Sequence, residues 1–233
     1  MPVIDTRPSF ANETTFEISN LECVRGYTQL FTALNFKLKS ASALQLMGAN
    51  GSGKTSLLRI LAGLSRPEQG TISWNGDNIT DNPFEYFASL NYLGHKIALK
   101  DNLTAGENLS FLGSLEHYKP AISVAQSLQI MAVMGLADSP CFQLSAGQRQ
   151  RIALARVLRS NAQLWLLDEP ATTLDSEGIA LLQKIMMSHI NSGGIIVYTS
   201  HQALDFGNEF HQQLHLRHMI EPGDYALDYR ATT

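Results

Sequence analysis

The sequence predicts an α/β fold with a parallel phosphate-loop core, a small antiparallel β subdomain and an inserted helical subdomain. Three observations lead there. The apolar run at 44–47 feeds a glycine-rich stretch, Gly48-Ala49-Asn50-Gly51-Ser52-Gly53-Lys54-Thr55, which opens through Ser56 into a segment with Leu57, Ile60, Leu61 and Leu64 at helical spacing. Two continuous apolar runs, at 164–167 and 195–198, end in polar residues, as strands buried on both faces of a parallel sheet do. Leu34, Phe36 and Leu38, and later Ile72 and Trp74, alternate with other residues, the pattern of antiparallel strands with one wet face.

Taken in order, residues 1–13 are polar, carry Pro2 and Pro8, and read as a mobile lead-in to one domain spanning 14–220. Phe16, Ile18, Leu21 and Cys23 change phase midway, which predicts a first strand with a kink or bulge. The segment 103–136 reads mainly as helix, with Leu109 and Leu112 on one stripe and Val124, Leu128, Met131 and Val133 on another; Met131 and Met134 are expected as core filler. The helical subdomain covers about 94–150. After it, Ile152, Leu154, Val157 and Leu158 mark a helix that also carries Arg149, Arg151, Arg156 and Arg159, expected on a solvated face. A helix over about 177–190 ends at Gly193-Gly194, and Leu214 and Leu216 mark a last strand before an extension at 221–233. With those leucines facing the core, His211 and His215 fall on the wet strand face, so these residues and His218 form no ligand set.

The bulk numbers bound the function. At 233 residues the chain can bury a full core. A net charge of −4 gives no electrostatic case for nucleic acid as the main partner. The two cysteines, Cys23 and Cys141, have no metal-like spacing and read as reduced, buried thiols. No apolar stretch reaches the length of a membrane span and the start lacks a signal peptide's apolar centre, so a cytosolic location with membrane contact through a partner is expected.

The chemistry is concentrated at the strand ends. In the phosphate loop, glycines let backbone N–H groups curl around phosphate oxygens. Lys54 supplies a point charge between the β- and γ-phosphates, and the Thr55 hydroxyl is suited to Mg²⁺. The helix that follows aims its positive end at the same phosphates. The chain is therefore expected to bind a nucleoside triphosphate. Asp168, closing a buried strand, is suited to hold Mg²⁺ directly or through water, and Glu169 to polarise the attacking water as a general base. His201, at the end of the next strand, is within the same sheet edge and can contact the γ-phosphate or the water.

These motifs together resemble the ATP-binding-cassette ATPases, a RecA-like phosphate-loop family, over about 15–215. The resemblance rests on the loop at 48–55, the signature Leu144-Ser145-Ala146-Gly147-Gln148, the pair Asp168-Glu169, the loop Thr173-Leu174-Asp175, and His201. It implies a head-to-tail homodimer in which Ser145, Ala146, Gly147 and Gln148 of one copy cap the γ-phosphate held by the other, with Asp175 in the dimer loop. Further stretches, among them Tyr92-Leu93-Gly94-His95, Leu103-Thr104-Ala105 and Thr199-Ser200-His201-Gln202, resemble the cytochrome c maturation branch. That implies an ATPase subunit for haem handling or export, peripheral at the cytoplasmic face of the bacterial inner membrane, working with integral-membrane permease subunits, cytochrome c maturation proteins B, C and D. Other cassette transporters, for amino acids, lipoproteins or drugs, stay open alongside it, as does an ATP-dependent switch with little turnover. Six positions depart from the family pattern, among them Lys96, Ala98 and Ala171, which bear on the partner surface. His95 replaces the usual glutamine, Arg25 stands where an adenine-stacking aromatic is common, with Tyr27 as the alternative, and Ala146 replaces a glycine. A guanidinium plane can also stack on a base.

Overall fold

In the computed structural model the described residues are 10, 13–115, 120–202, 204, 206, 210–216 and 229–230. His218 and most of the lead-in and of the C-terminal extension lie outside them. Six strands form the main sheet and four form a smaller antiparallel one.

The antiparallel sheet is assembled first along the chain. Strands β1 (Thr15–Arg25) and β2 (Thr28–Lys39) pair so that Phe16, Ile18 and Leu21 face Leu38, Phe36 and Leu34, all six buried. The expected irregularity is there: the register shifts after Ile18, where Asn20 takes a left-handed φ of 51° and its N–H donates to the Asn35 side chain. Between β2 and the later strands run β3 (Ser42–Met47) and α1 (Lys54–Leu61); β4 (Gln69–Trp74) and β5 (Asp77–Asn78) then complete the smaller sheet in the order β2-β1-β4-β5.

The chain continues through α2 (Pro83–Ala88), β6 (Leu90–Leu93), α3 (Ala105–Leu115), α4 (Val124–Ile130), α5 (Ala146–Arg159), β7 (Leu164–Leu167), α6 (Ser176–Asn191), β8 (Ile195–Thr199), β9 (His211–His215) and β10 (Tyr229–Arg230). The main sheet has the order β10-β9-β3-β8-β7-β6, parallel except for the edge strand β10. Every residue of β7 and β8 is buried. Their side chains divide by period two between two cores. Leu164, Leu166, Ile195 and Val197 join α1 and the antiparallel sheet, whereas Trp165, Leu167, Ile196 and Tyr198 join α3 to α6. Strands covered on both faces explain why these runs lack polar alternation.

Several expectations are corrected. The 103–136 segment is interrupted: α4 stops at Ile130 and Ala132 takes a left-handed φ of 56° before a short 3₁₀ turn at Met134–Leu136. Met131 is core, but Met134 is exposed. The arginines of α5 are not a solvated face. Arg151 and Arg159 are buried, and all four spend their donors on neighbours: Arg149 on Asp101, Arg151 on Asp175, Arg156 on the Tyr92 carbonyl, Arg159 on the Leu109 carbonyl. α5 packs against α3, α4 and α6, so these guanidinium groups pair with carboxylates and with backbone carbonyls of the elements around the helix. His211, expected to be wet, is half-buried and lies 3.0 Å from the Tyr198 hydroxyl beside the Phe206 ring. Cys23 and Cys141 are buried free thiols, and burial pushes both pKa values up, as read from their placement.

Candidate functional site

Strand β3 lies between β8 and β9, so the loop it feeds emerges at the carboxyl edge of the sheet together with Asp168 and His201. Gly48 has φ 143°, and a Cβ there would strike the Leu216 carbonyl oxygen. Gly53, at φ 99°, turns the chain into α1 with no side chain capping that helix, which leaves first-turn N–H groups for an anion. Lys54 arches over the loop, its Nζ donating to the carbonyls of Gly48 (2.7 Å) and Ala49 (3.0 Å). Ser52 is buried, with no partner for its hydroxyl among the described residues.

The two acids behave differently. Asp168 is 3% exposed; its N–H pairs with the Leu93 carbonyl, so the β6–β7 ladder fixes its backbone. Its Oδ1 accepts from the hydroxyls of Thr199 (2.9 Å) and Thr55 (3.3 Å), while Oδ2 has no partner among the described residues. Glu169 reverses the chain with a left-handed φ of 54°, and its Oε1 stands 3.4 Å from His201 Nε2. The Glu169 carboxylate is 15% exposed and the His201 imidazole 66%.

One cavity of about 540 Å³ takes in Lys54, Thr55, His95, Asp168, Glu169 and His201, with Asn50, Gly51, Gly53 and Ser56 on its wall. The residues present fit Mg²⁺. A buried carboxylate oxygen without a partner and a neighbouring hydroxyl offer hard oxygen donors, and the described residues hold no cluster of three His, Cys, Asp or Glu. Mg²⁺ is commonly held by such a sparse protein set plus phosphate oxygens and water. Arg25 and Tyr27 lie apart from this cavity wall, in the β1–β2 hairpin. The Arg25 guanidinium donates to Ser65, and Tyr27 is fully exposed.

The signature lies elsewhere. Ser145 caps α5 in a reciprocal pair with Gln148: the Ser145 hydroxyl accepts from the Gln148 N–H at 3.2 Å and the Gln148 side-chain oxygen from the Ser145 N–H at 2.9 Å. With Ala146, Gly147 and Asp175 these residues border a separate cavity of about 800 Å³ that shares no lining residue with the first. Asp175 caps α6 through the Gly178 N–H and binds Arg151 at 2.7 Å, and these hydrogen bonds, Arg151's above all, hold its carboxyl below the usual carboxylate range. Gly147 is required within the chain itself, since a Cβ would sit 2.8 Å from the Thr173 carbonyl oxygen.

Some contributions escaped the sequence. Leu30 and Thr172 line the nucleotide cavity, Gln150 ties α5 to the Pro170 carbonyl at 2.9 Å, and Thr199 bridges the two acids. The only available signal for Thr199 was a hydroxyl closing an apolar strand.

The fold and this site define a phosphate-loop nucleotide-binding cassette. The chain belongs to the ABC transporter family, whose model matches residues 31–172, and is an ABC-type ATPase. Among its relatives, the cytochrome c biogenesis ATP-binding export protein CcmA of Aliivibrio fischeri is 42% identical over 188 residues, covering 81% of this chain and 92% of the relative. The protein of the same name from Methylococcus capsulatus is 45% identical over 186 residues, covering 79% of this chain and 90% of the relative. Among solved structures, the dimeric structure of MJ0796, a bacterial ABC transporter cassette, superposes with a TM-score of 0.73 at 22% identity over 87% of this chain and 94% of that one; it shares the fold. No described helix is long and apolar enough to cross a membrane.

Proposed function

We propose that this chain is the ATP-hydrolysing subunit of a membrane export complex for haem handling in cytochrome c biogenesis. The observation that carries the hydrolytic part is the convergence of Lys54, Thr55, Asp168, Glu169 and His201 on one cavity. Support for the biological part is the similarity to proteins named cytochrome c biogenesis ATP-binding export protein.

In this mechanism the loop N–H groups from Gly48 to Thr55 and the start of α1 hold the β- and γ-phosphates, with Lys54 leaving its loop carbonyls for phosphate oxygens. Asn50, Ser52 and Ser56 lie along the same phosphates, and Arg25 stacks on the base. Thr55 and Asp168 Oδ2 hold Mg²⁺, which when bound neutralises charge developing on the phosphate oxygens. Glu169 takes a proton from the attacking water as the water oxygen bonds to the γ-phosphorus and the bond to ADP breaks. His201 and His95 orient the water and the γ-phosphate by hydrogen bonding. The signature's separation from the phosphate loop supports a shared site: Ser145 to Gln148 and Asp175 serve the loop of a second copy in a head-to-tail dimer. The complex sits at the cytoplasmic face of the bacterial inner membrane, this subunit attached peripherally through cytochrome c maturation proteins B, C and D.

Two experiments test this. Chains carrying Glu169→Gln and chains carrying Ser145→Arg are each expected to be inactive. Mixed, they regenerate one intact site in half the dimers, or about a quarter of parental turnover; no recovery counts against the shared site. Recovery of the tagged subunit from membranes with a haem-complex permease supports the export role, and recovery with an unrelated permease replaces it.

A further inference from the structure

Strand β8 ends at Thr199, a fully buried side chain in a position the phosphate loop, the acids and the histidine do not explain. Its hydroxyl makes two hydrogen bonds, and chemistry fixes their direction. The Glu169 N–H, 2.7 Å away, can only donate, so Thr199 accepts there. The single hydroxyl proton then goes to Asp168 Oδ1 at 2.9 Å. Thr55 reaches the same oxygen at 3.3 Å, which leaves Oδ2 as the carboxylate oxygen without a partner among the described residues.

Three geometric consequences follow. Two donors on Oδ1 fix the rotation of the Asp168 carboxylate and turn Oδ2 away from the protein's own donors. The bond to the Glu169 N–H secures a non-glycine residue in a left-handed conformation, φ 54°, which ordinarily costs energy and persists only where its surroundings hold it. Since β8 also delivers His201 two residues later, one hydroxyl ties together the strand ends carrying the metal carboxylate, the base and the histidine that faces it at 3.4 Å.

We propose that Thr199 is a positioning residue of this ATPase, its hydroxyl setting both the Asp168 carboxylate for Mg²⁺ and the chain reversal that presents Glu169 to water. The proposal rests on the hydrolytic role given above. A valine has the shape of threonine and fits a buried parallel strand, so Thr199→Val removes the two hydrogen bonds while filling the same space. Thr199→Ser keeps the hydroxyl. Outer partners of metal ligands typically govern metal affinity or activity by about ten- to a hundredfold.

The test uses the full-length chain and the fluorescent analogue TNP-ATP, titrated in EDTA and then with Mg²⁺, beside steady-state ATP turnover. Thr199→Val is expected to bind TNP-ATP in EDTA like the parent. Its half-saturating Mg²⁺ should rise and its kcat fall, each by about ten- to a hundredfold. Thr199→Ser should restore both. Should the valine chain not fold, Thr199→Ala carries the same titration. Parental Mg²⁺ dependence and kcat in a folded hydroxyl-free variant overturns the proposal, as does a serine variant as impaired as the valine one. Failure of the underlying hydrolytic role shows separately, as undiminished turnover in Glu169→Gln with Thr199 intact.

Discussion

The cavity at the phosphate loop and the cavity at the signature carry the same kinds of groups and treat them oppositely. In the one bordered by the phosphate loop, Asp168 Oδ2 is buried without a partner among the described residues, and the start of α1 has no side-chain cap. In the one bordered by the signature, Ser145 and Gln148 satisfy each other, and Arg151 and the Gly178 N–H satisfy Asp175. Burying an unpaired polar group costs free energy unless something pairs with it, so the first cavity stores a demand for a ligand. The second is stable as it stands and can wait for one. That difference suits a site whose metal and phosphate chemistry is built in one chain and whose closure comes from another.

The comparison can be broken at its strongest point first. Glu169→Gln should lower turnover by at least about a hundredfold while ATP still binds, because general-base help is typically worth that much; a nucleotide-trapped dimer on size exclusion is the companion readout. Undiminished hydrolysis would remove the base from Glu169. Next in size is Gly147→Val on the signature side. The Thr173 carbonyl leaves no room for a side chain, so a loss of about 1–3 kcal/mol is expected in chemical denaturation. A fully stable Gly147→Val would show that this helix start can move.

Ser145→Ala sharpens the contrast. Losing the cap should cost about 1 kcal/mol of stability. If the signature also serves a second copy, turnover at temperatures where the variant is folded should drop beyond what that loss explains. The smallest effect concerns Asp175. Because Arg151 and the Gly178 N–H lower its folded pKa below the ordinary 3.8, its contribution is present above that value and fades as pH falls through the lower folded pKa. The melting temperatures of the parent and of Asp175→Asn should therefore differ at neutral pH and converge in the acid range below about pH 4; a gap that persists there would mean the cap acts without its charge.

Much of the site was legible because its signals are local. Glycines spaced around Lys54 and Thr55, and acids placed directly after an apolar run, need only the chain's own direction to reveal a sheet edge. The α5 arginines were misjudged for the converse reason. Periodicity identifies one apolar stripe, but Arg151 and Arg159 are buried because three other helices close over the remaining sides, which no window along α5 contains. Met134, expected as core filler, departs in the opposite direction: α4 ends at Ile130 and the left-handed Ala132 redirects the chain, which leaves Met134 exposed.

By itself, then, the sequence determined the phosphate loop, the order of acid, base and histidine along the chain, the buried strands and the helix after the signature, since each is written in spacing over a few residues. Only the tertiary structure decided which groups meet. Strand order sets β3 and β7 on either side of β8, so that one buried threonine hydroxyl at the end of β8 reaches Asp168 and Glu169, and it leaves the signature facing a different cavity from Lys54. Contacts made across a sheet join residues 30 to more than 100 positions apart, and no local pattern records them.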